Sequence, residues 1–85
     1  MRIVYAPKFI REYKKLPRKT QIEAEKREAL FRVDSFDVRL GVHKLHGRLK
    51  DFWSFSIGFR YRIVFQRGEG DVVYFYSVGN HKVYQ

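Results

Sequence analysis

The sequence predicts an α+β domain in which two amphipathic helices from the first half cover one face of a small antiparallel sheet built from the second. Three observations carry this. Apolar residues recur at helical spacing up to about residue 33 and alternate at a period of two from about residue 52. Pro7 and Pro17 stand where helices start. Gly58 and the run Arg67-Gly-Glu-Gly-Asp71 supply turns between the strand-like runs.

Arg2–Tyr5 is rich in β-formers and predicts a short strand. After Pro7, the residues Phe9, Ile10, Tyr13 and Leu16 fall on one helical face, with Lys8, Arg11, Glu12, Lys14 and Lys15 between them. Pro17 divides this helix from a second over Arg18–Arg32, where Ile22, Ala29, Leu30 and Val33 mark an apolar stripe and neighbouring Glu and Lys/Arg residues offer ion pairs. The two make a helical hairpin. Asp34–Val42 has turn formers and no period, and reads as a loop with Phe36, Val38 or Leu40 tucked under it.

Phe52–Ile57 and Phe59–Gln66 alternate as strands, and Val72–Val78 is apolar enough for a central strand covered on both faces. Period two puts Arg60 and Arg62 on one face, opposite Tyr61, Ile63 and Phe65. With the helices over Tyr61, that parity turns both arginines to the other side.

An 85-residue chain is one domain, spanning 1–85, with a thin core. It contains no cysteine, which removes disulfides and thiolate metal sites and fits a reducing, cytoplasmic setting. No apolar run approaches the ~20 residues of a membrane span. Eighteen Lys and Arg against nine Asp and Glu give a formal charge of +9, which favours polyanionic partners. No P-loop, Rossmann glycine motif, Ser/His/Asp order or zinc motif is present.

All three histidines lie in the second half. His81 follows a Gly-Asn break and either transfers protons near neutral pH or stands solvated in a tail. His43 and His46 precede the sheet in H-K-L-H-G among Lys44, Arg48 and Lys50; one transfers a proton, or both are merely exposed, and nothing beside them completes a metal site. Arg60 and Arg62 are phosphate clamps, or they pair with Asp51, Glu69 or Asp71. Tyr84 stacks on a base or pins the C-terminus, and Trp53 reads as core or rim packing.

The segment HKLHGRLKDFWSFSIGFRYRIVFQ, followed by VVYFYSVGNHKVY, and the opening IVYAPKFIREYKKLP resemble toxins of bacterial and archaeal type II toxin–antitoxin modules. These form the RelE/ParE superfamily, and the similarity is to its RelE- and YafQ-like mRNA interferases. The most specific parts are H-K-L-x-G-x-L-K-D-x-W-S-F, Y-R-I-V-F and V-G-x-H…Y, in that order.

The resemblance implies two N-terminal helices on a four-stranded, mostly antiparallel sheet. It implies cleavage of mRNA in the ribosomal A site, with 16S rRNA contacts, and neutralisation by a cognate antitoxin in a hetero-oligomer, the free toxin being a monomer. No metal or other cofactor is needed: a 2′-hydroxyl attacks the adjacent phosphorus and leaves a 2′,3′-cyclic phosphate and a 5′-hydroxyl. His81 and His43 match proton-transfer positions, Arg62 the phosphate-stabilising arginine, and Tyr84 a C-terminal aromatic that orients the substrate. Lys44 and Lys50 fall where relatives use lysines on RNA. Together with the residue chemistry this makes Lys44, Arg48, Lys50, Arg60 and Lys82 the phosphate contacts. His46 matches no functional position. Two rival readings share the fold: a ParE-like inhibitor of DNA gyrase, and a non-catalytic basic RNA-binding domain.

Overall fold

A computed structural model describes residues 1–80. Strand β1 (Arg2–Tyr5) opens the chain, and helices α1 (Pro7–Lys14) and α2 (Arg18–Val33) follow. Strands β2 (His43–Lys44), β3 (Trp53–Ile57), β4 (Tyr61–Arg67) and β5 (Val72–Gly79) complete it. They form one sheet of order β1-β5-β4-β3-β2, antiparallel except where β1 runs parallel to β5. The expected four strands become five because His43 and Lys44 pair with Ser54 and Trp53. Two residues show no period, so this edge strand is silent in the sequence.

Pro7 takes the first turn of α1, where no amide hydrogen bond is lost, and Phe9 is the residue α1 buries. The apolar stripe of α2 is not the one expected. Ile22 and Val33 are exposed; the inward line is Ala24 and Phe31, with Leu30 packed at its edge. Polar residues flank that line and find partners, which masks the period. Gln21 Nε2 donates to the Tyr13 carbonyl at 2.9 Å, and the Tyr5 hydroxyl donates to Glu28 at 2.6 Å. Burial and then Glu28 push the Tyr5 hydroxyl pKa up. In the loop, Leu40 is the residue that tucks in, while Phe36 and Val38 stay exposed.

Phe31 is fully buried, and its ring centroid lies 4.9 Å from Phe55, 5.0 Å from Phe65 and 5.7 Å from Phe75. One helical residue thus touches three neighbouring strands. With side chains alternating, Phe55, Ile57, Ile63 and Phe65 join this core, and Ser54, Ser56 and Arg62 take the opposite face. Strand β5 is not covered on both faces as expected, since Tyr74 and Tyr76 are exposed. A register shift at Val64/Phe65 leaves Tyr76 without a partner on β4. The face away from the helices is still partly covered. The Phe52 ring, just before β3, lies 5.0 Å from the Tyr76 ring on β5, so the two side chains meet across the intervening β4.

Strand β1 ends at Tyr5, and α1 takes over the outer edge of β5. Glu12 Oε1 accepts from the Val78 amide at 3.1 Å and from the Ser77 hydroxyl at 2.7 Å, and Lys8 Nζ donates to Glu12 and Ser77, each at 2.8 Å. Ser77 is fully buried, so these bonds satisfy a polar group that would otherwise destabilise the sheet edge. Burial pushes the Glu12 carboxyl pKa up, but the bonds from Lys8, Ser77 and Val78 outweigh it and hold it below the ordinary 4.5.

Two outcomes are expected. Phe31→Ala removes the ring that all three strands touch and lowers the unfolding free energy by about 3–5 kcal/mol, read by urea denaturation. Because the folded Glu12 pKa lies below its unfolded value, its stabilisation is complete above 4.5 and is lost as pH falls through the folded value. The same titration at a series of acid pH values shows stability falling from about pH 4.5 downward, with a shallower fall in Glu12→Gln.

Candidate functional site

On the face turned away from the helices, the alternation of β3 and β4 sets out a polar group. His43 on β2 lies opposite Ser54, and Arg62 on β4 lies opposite Ser56. His43 and Arg62 therefore share a face with one strand between them, about 10 Å apart across the sheet and about 7 Å along it.

His43 Nδ1 sits 3.1 Å from the Gly41 carbonyl. A carbonyl only accepts, so Nδ1 carries the hydrogen and the neutral ring keeps Nε2 bare and basic. The Ser54 hydroxyl lies 3.4 Å from that Nε2, a long contact that orients the ring without holding it tightly. Gly41 adopts a left-handed conformation (φ 59°) at the end of a 3₁₀ turn over Val38–Leu40, which aims its carbonyl at the histidine. A side chain there would reach Ser56 Oγ at 3.5 Å.

Arg62 is half-buried, and its Nη1 donates to Ser56 Oγ at 2.9 Å. A serine hydroxyl leaves the guanidinium charge intact. Among the described residues, no carboxylate lies within ion-pair distance of Arg62, Arg60, Arg48 or Lys50. The pairing once open to the arginines is absent there: Asp71 instead binds the N-terminal amine at 2.8 Å. Glu12, Glu23, Glu28 and Asp37 are matched within the first half of the chain. The Arg39 side chain and amide hold the half-buried Asp37 carboxyl down to about 2. Among the described residues, Arg62, Arg48 and Lys50 thus stand on the sheet and its entry turn with no carboxylate partner, as binding an anion requires.

The structure separates several predicted residues. Arg60 does not share a face with Arg62: it lies in the turn before β4 and lines a groove with Lys19 and Arg27 of α2. The strand begins at Tyr61, so period two does not extend to Arg60. Lys44 pairs with Trp53, and its ammonium sits 6.0 Å from the Trp53 ring, on the face opposite His43. Arg48 and Lys50 are exposed on a 3₁₀ turn over Gly47–Leu49 and its end. His46 is exposed ahead of that turn, and Trp53 packs at the core rim beneath Arg67 and against Phe36. His81, Lys82 and Tyr84 lie outside the described residues. Strand β5 ends at Gly79, the residue paired with Arg62.

Sequence reasoning missed Ser54 and Ser56. Their signal was the small-polar alternation with Phe55 inside a buried strand, a pattern that core packing alone does not require.

No curated protein sequence matches the chain. Residues 3–83 match the profile of the ParE toxin of type II toxin–antitoxin systems, parDE. Among solved structures, the YoeB/ParE toxin from Agrobacterium tumefaciens is 16% identical with a TM-score of 0.79, covering 95% of this chain and 99% of that one. YafQ from Escherichia coli is 12% identical with a TM-score of 0.80, covering 99% and 98%. The RelB–RelE antitoxin–toxin complex from Methanococcus jannaschii is 19% identical with a TM-score of 0.75, covering 95% and 93%. At these identities the likeness is one of fold, and it is the profile, matching nearly the whole chain, that shows the family: the chain belongs to the ParE toxin family of type II toxin–antitoxin systems, within the RelE/ParE superfamily.

Proposed function

We propose that this toxin is a ribosome-dependent mRNA endonuclease acting in the cytoplasm as one domain, and that a cognate antitoxin neutralises it. The observation that carries the reading is the pair on the open sheet face: a histidine whose Nε2 carries no hydrogen, and an arginine with no carboxylate within ion-pair distance among the described residues. A gyrase-binding surface has no need of a proton-transfer group beside a free guanidinium. RelE and YoeB structures bound to antitoxins share the fold, which supports the antitoxin partner.

In the proposed reaction His43 Nε2 takes the proton of a 2′-hydroxyl as its oxygen attacks the adjacent phosphorus. Arg62 offsets the negative charge that builds on the phosphorane oxygens. The bond to the 5′-oxygen breaks, and His81 gives that oxygen a proton. The products are a 2′,3′-cyclic phosphate and a 5′-hydroxyl; His43 gains a proton and His81 loses one, so the two exchange before the next turnover. Tyr84 orients the substrate base. Arg48, Lys50 and Lys82 hold flanking phosphates on this reading, while Lys44 reaches RNA only around the sheet edge.

A second reading, inhibition of DNA gyrase, is favoured by the ParE identity of the matching family profile. Controlled expression with mapping of mRNA 5′ ends separates the two. The nuclease reading expects new 5′ ends within translated codons. Intact messages with accumulating DNA breaks would move the answer to gyrase.

Variants then test the roles. Arg62→Ala lowers the cleavage rate on programmed ribosomes by about 10²-fold or more, and Arg62→Lys restores part of it, since charge returns without the fork. His43→Gln and His81→Ala each lower it by about 10²–10⁴-fold while the protein still binds antitoxin. A wild-type rate in either removes that residue from the chemistry.

A further inference from the structure

The turn between β3 and β4 carries an aromatic ring that the proposed reaction does not use. Gly58 holds the left-handed conformation the turn needs (φ 65°), and Phe59 at its tip is fully exposed, with relative exposure 103%. Beside the tip, a groove of about 550 Å³ runs between this turn and the first turns of α2. Lys19, Thr20, Arg60 and Tyr61 contribute to its lining, together with Glu23 and Arg27. Among the described residues Glu23 is the only acid there, and Arg27 Nε already holds its carboxylate at 3.0 Å. Arg27 also donates to the Arg39 carbonyl at 2.6 Å, so its guanidinium is committed to the fold. Lys19 and Arg60 have no carboxylate within ion-pair distance among the described residues.

The apolar part of the groove is small, Phe59 with Ile57 and Tyr61 beside it, and it is flanked by Lys19 and Arg60; a protein partner needs a wider apolar patch to bury. It fits an unpaired nucleotide, with a base to stack and phosphates on either side. The place in the fold agrees. Arg60 and Arg62 are two residues apart, about 6–7 Å along the chain, one in the turn and the other on the open face. A single strand leaving Arg62 would reach the groove by passing round the β3–β4 turn, from the open face to the side of α2.

We infer that this groove is a second RNA contact, in which Phe59 stacks on an unpaired base and Lys19 and Arg60 hold neighbouring phosphates. The inference rests on the reading that the ligand is RNA, and it needs no cleavage chemistry at the groove.

The test is fluorescence anisotropy of the full chain with a labelled 2′-O-methyl uridine 12-mer, which binds without being cut. Phe59→Ala weakens binding by about 5- to 150-fold, the loss of one stacked base. The double variant Lys19→Gln/Arg60→Gln lowers the slope of log affinity against log salt by about 1.4, or ~0.7 for each cation lost. Denaturation of each variant first establishes that it folds, and a Phe59→Trp variant, which keeps a stacking face, retains affinity. Wild-type affinity in Phe59→Ala together with a wild-type salt slope in the double variant overturns the inference. So does unchanged RNA affinity with weakened antitoxin binding, which would assign the groove to a protein. Messages left intact by the wild-type chain, with RNA affinity lost in the groove variants, would support the groove and sink the nuclease reading. Wild-type cleavage with unaffected groove variants would do the reverse.

Discussion

The ring of Phe31 is the contact on which the rest of the sheet depends. It reaches Phe55, Phe65 and Phe75 on three adjacent strands from a single helical position. Strand side chains alternate, so a slip of one residue would turn the whole apolar set of a strand to the other face. Seating these three rings under α2 therefore also decides what faces away. Ser54, Ser56 and Arg62 are on the open face because Phe55, Ile63 and Phe65 are in the core. Packing on one side of the sheet sets the chemistry on the other.

A second constraint acts at the end of β5. Strand β1 is too short to cover its whole outer edge, and Glu12 completes it from α1 through Ser77 and the Val78 amide. This fixes the part of β5 that pairs with the start of β4, where Gly79 lies opposite Arg62. The acidic residues are used locally: most hold nearby cations, and Glu12 and Glu28 also hold core-side hydroxyls. The cations beside the open face and at the β3–β4 turn keep their charge. On the proposed function, Arg62 is the charge that a phosphate on the open face would meet.

Much of this was legible in the residues. The boundaries of β1 and both helices, the turn at Gly58 and the strand alternation that turns Arg62 away from the helices all follow from local pattern. What was not legible depends on contacts distant in sequence. The inward line of α2 was hidden because Gln21 and Glu28 take polar partners at its borders. The bonds of Glu12 join residues 65 and 66 positions away, which no local period reveals. Period two puts Arg60 on the face of Arg62, but β4 begins only at Tyr61, so the alternation does not reach Arg60. Lys44 was grouped with His43 by proximity in sequence, when pairing in β2 puts their side chains on opposite faces. The serines that orient His43 and Arg62 were visible as letters but acquire a role only once β2 and β4 flank β3.

On the proposed function, this face performs a transfer in which the RNA supplies its own nucleophile. The most direct measurement compares two ribosome-bound messages that differ by one oxygen, an all-ribose mRNA and one with a single 2′-deoxynucleotide at the cleaved position. The expected result is that the ribose message is cut to a 2′,3′-cyclic phosphate and a 5′-hydroxyl, while the 2′-deoxy message stays intact. Cleavage of both, or of neither, would contradict it.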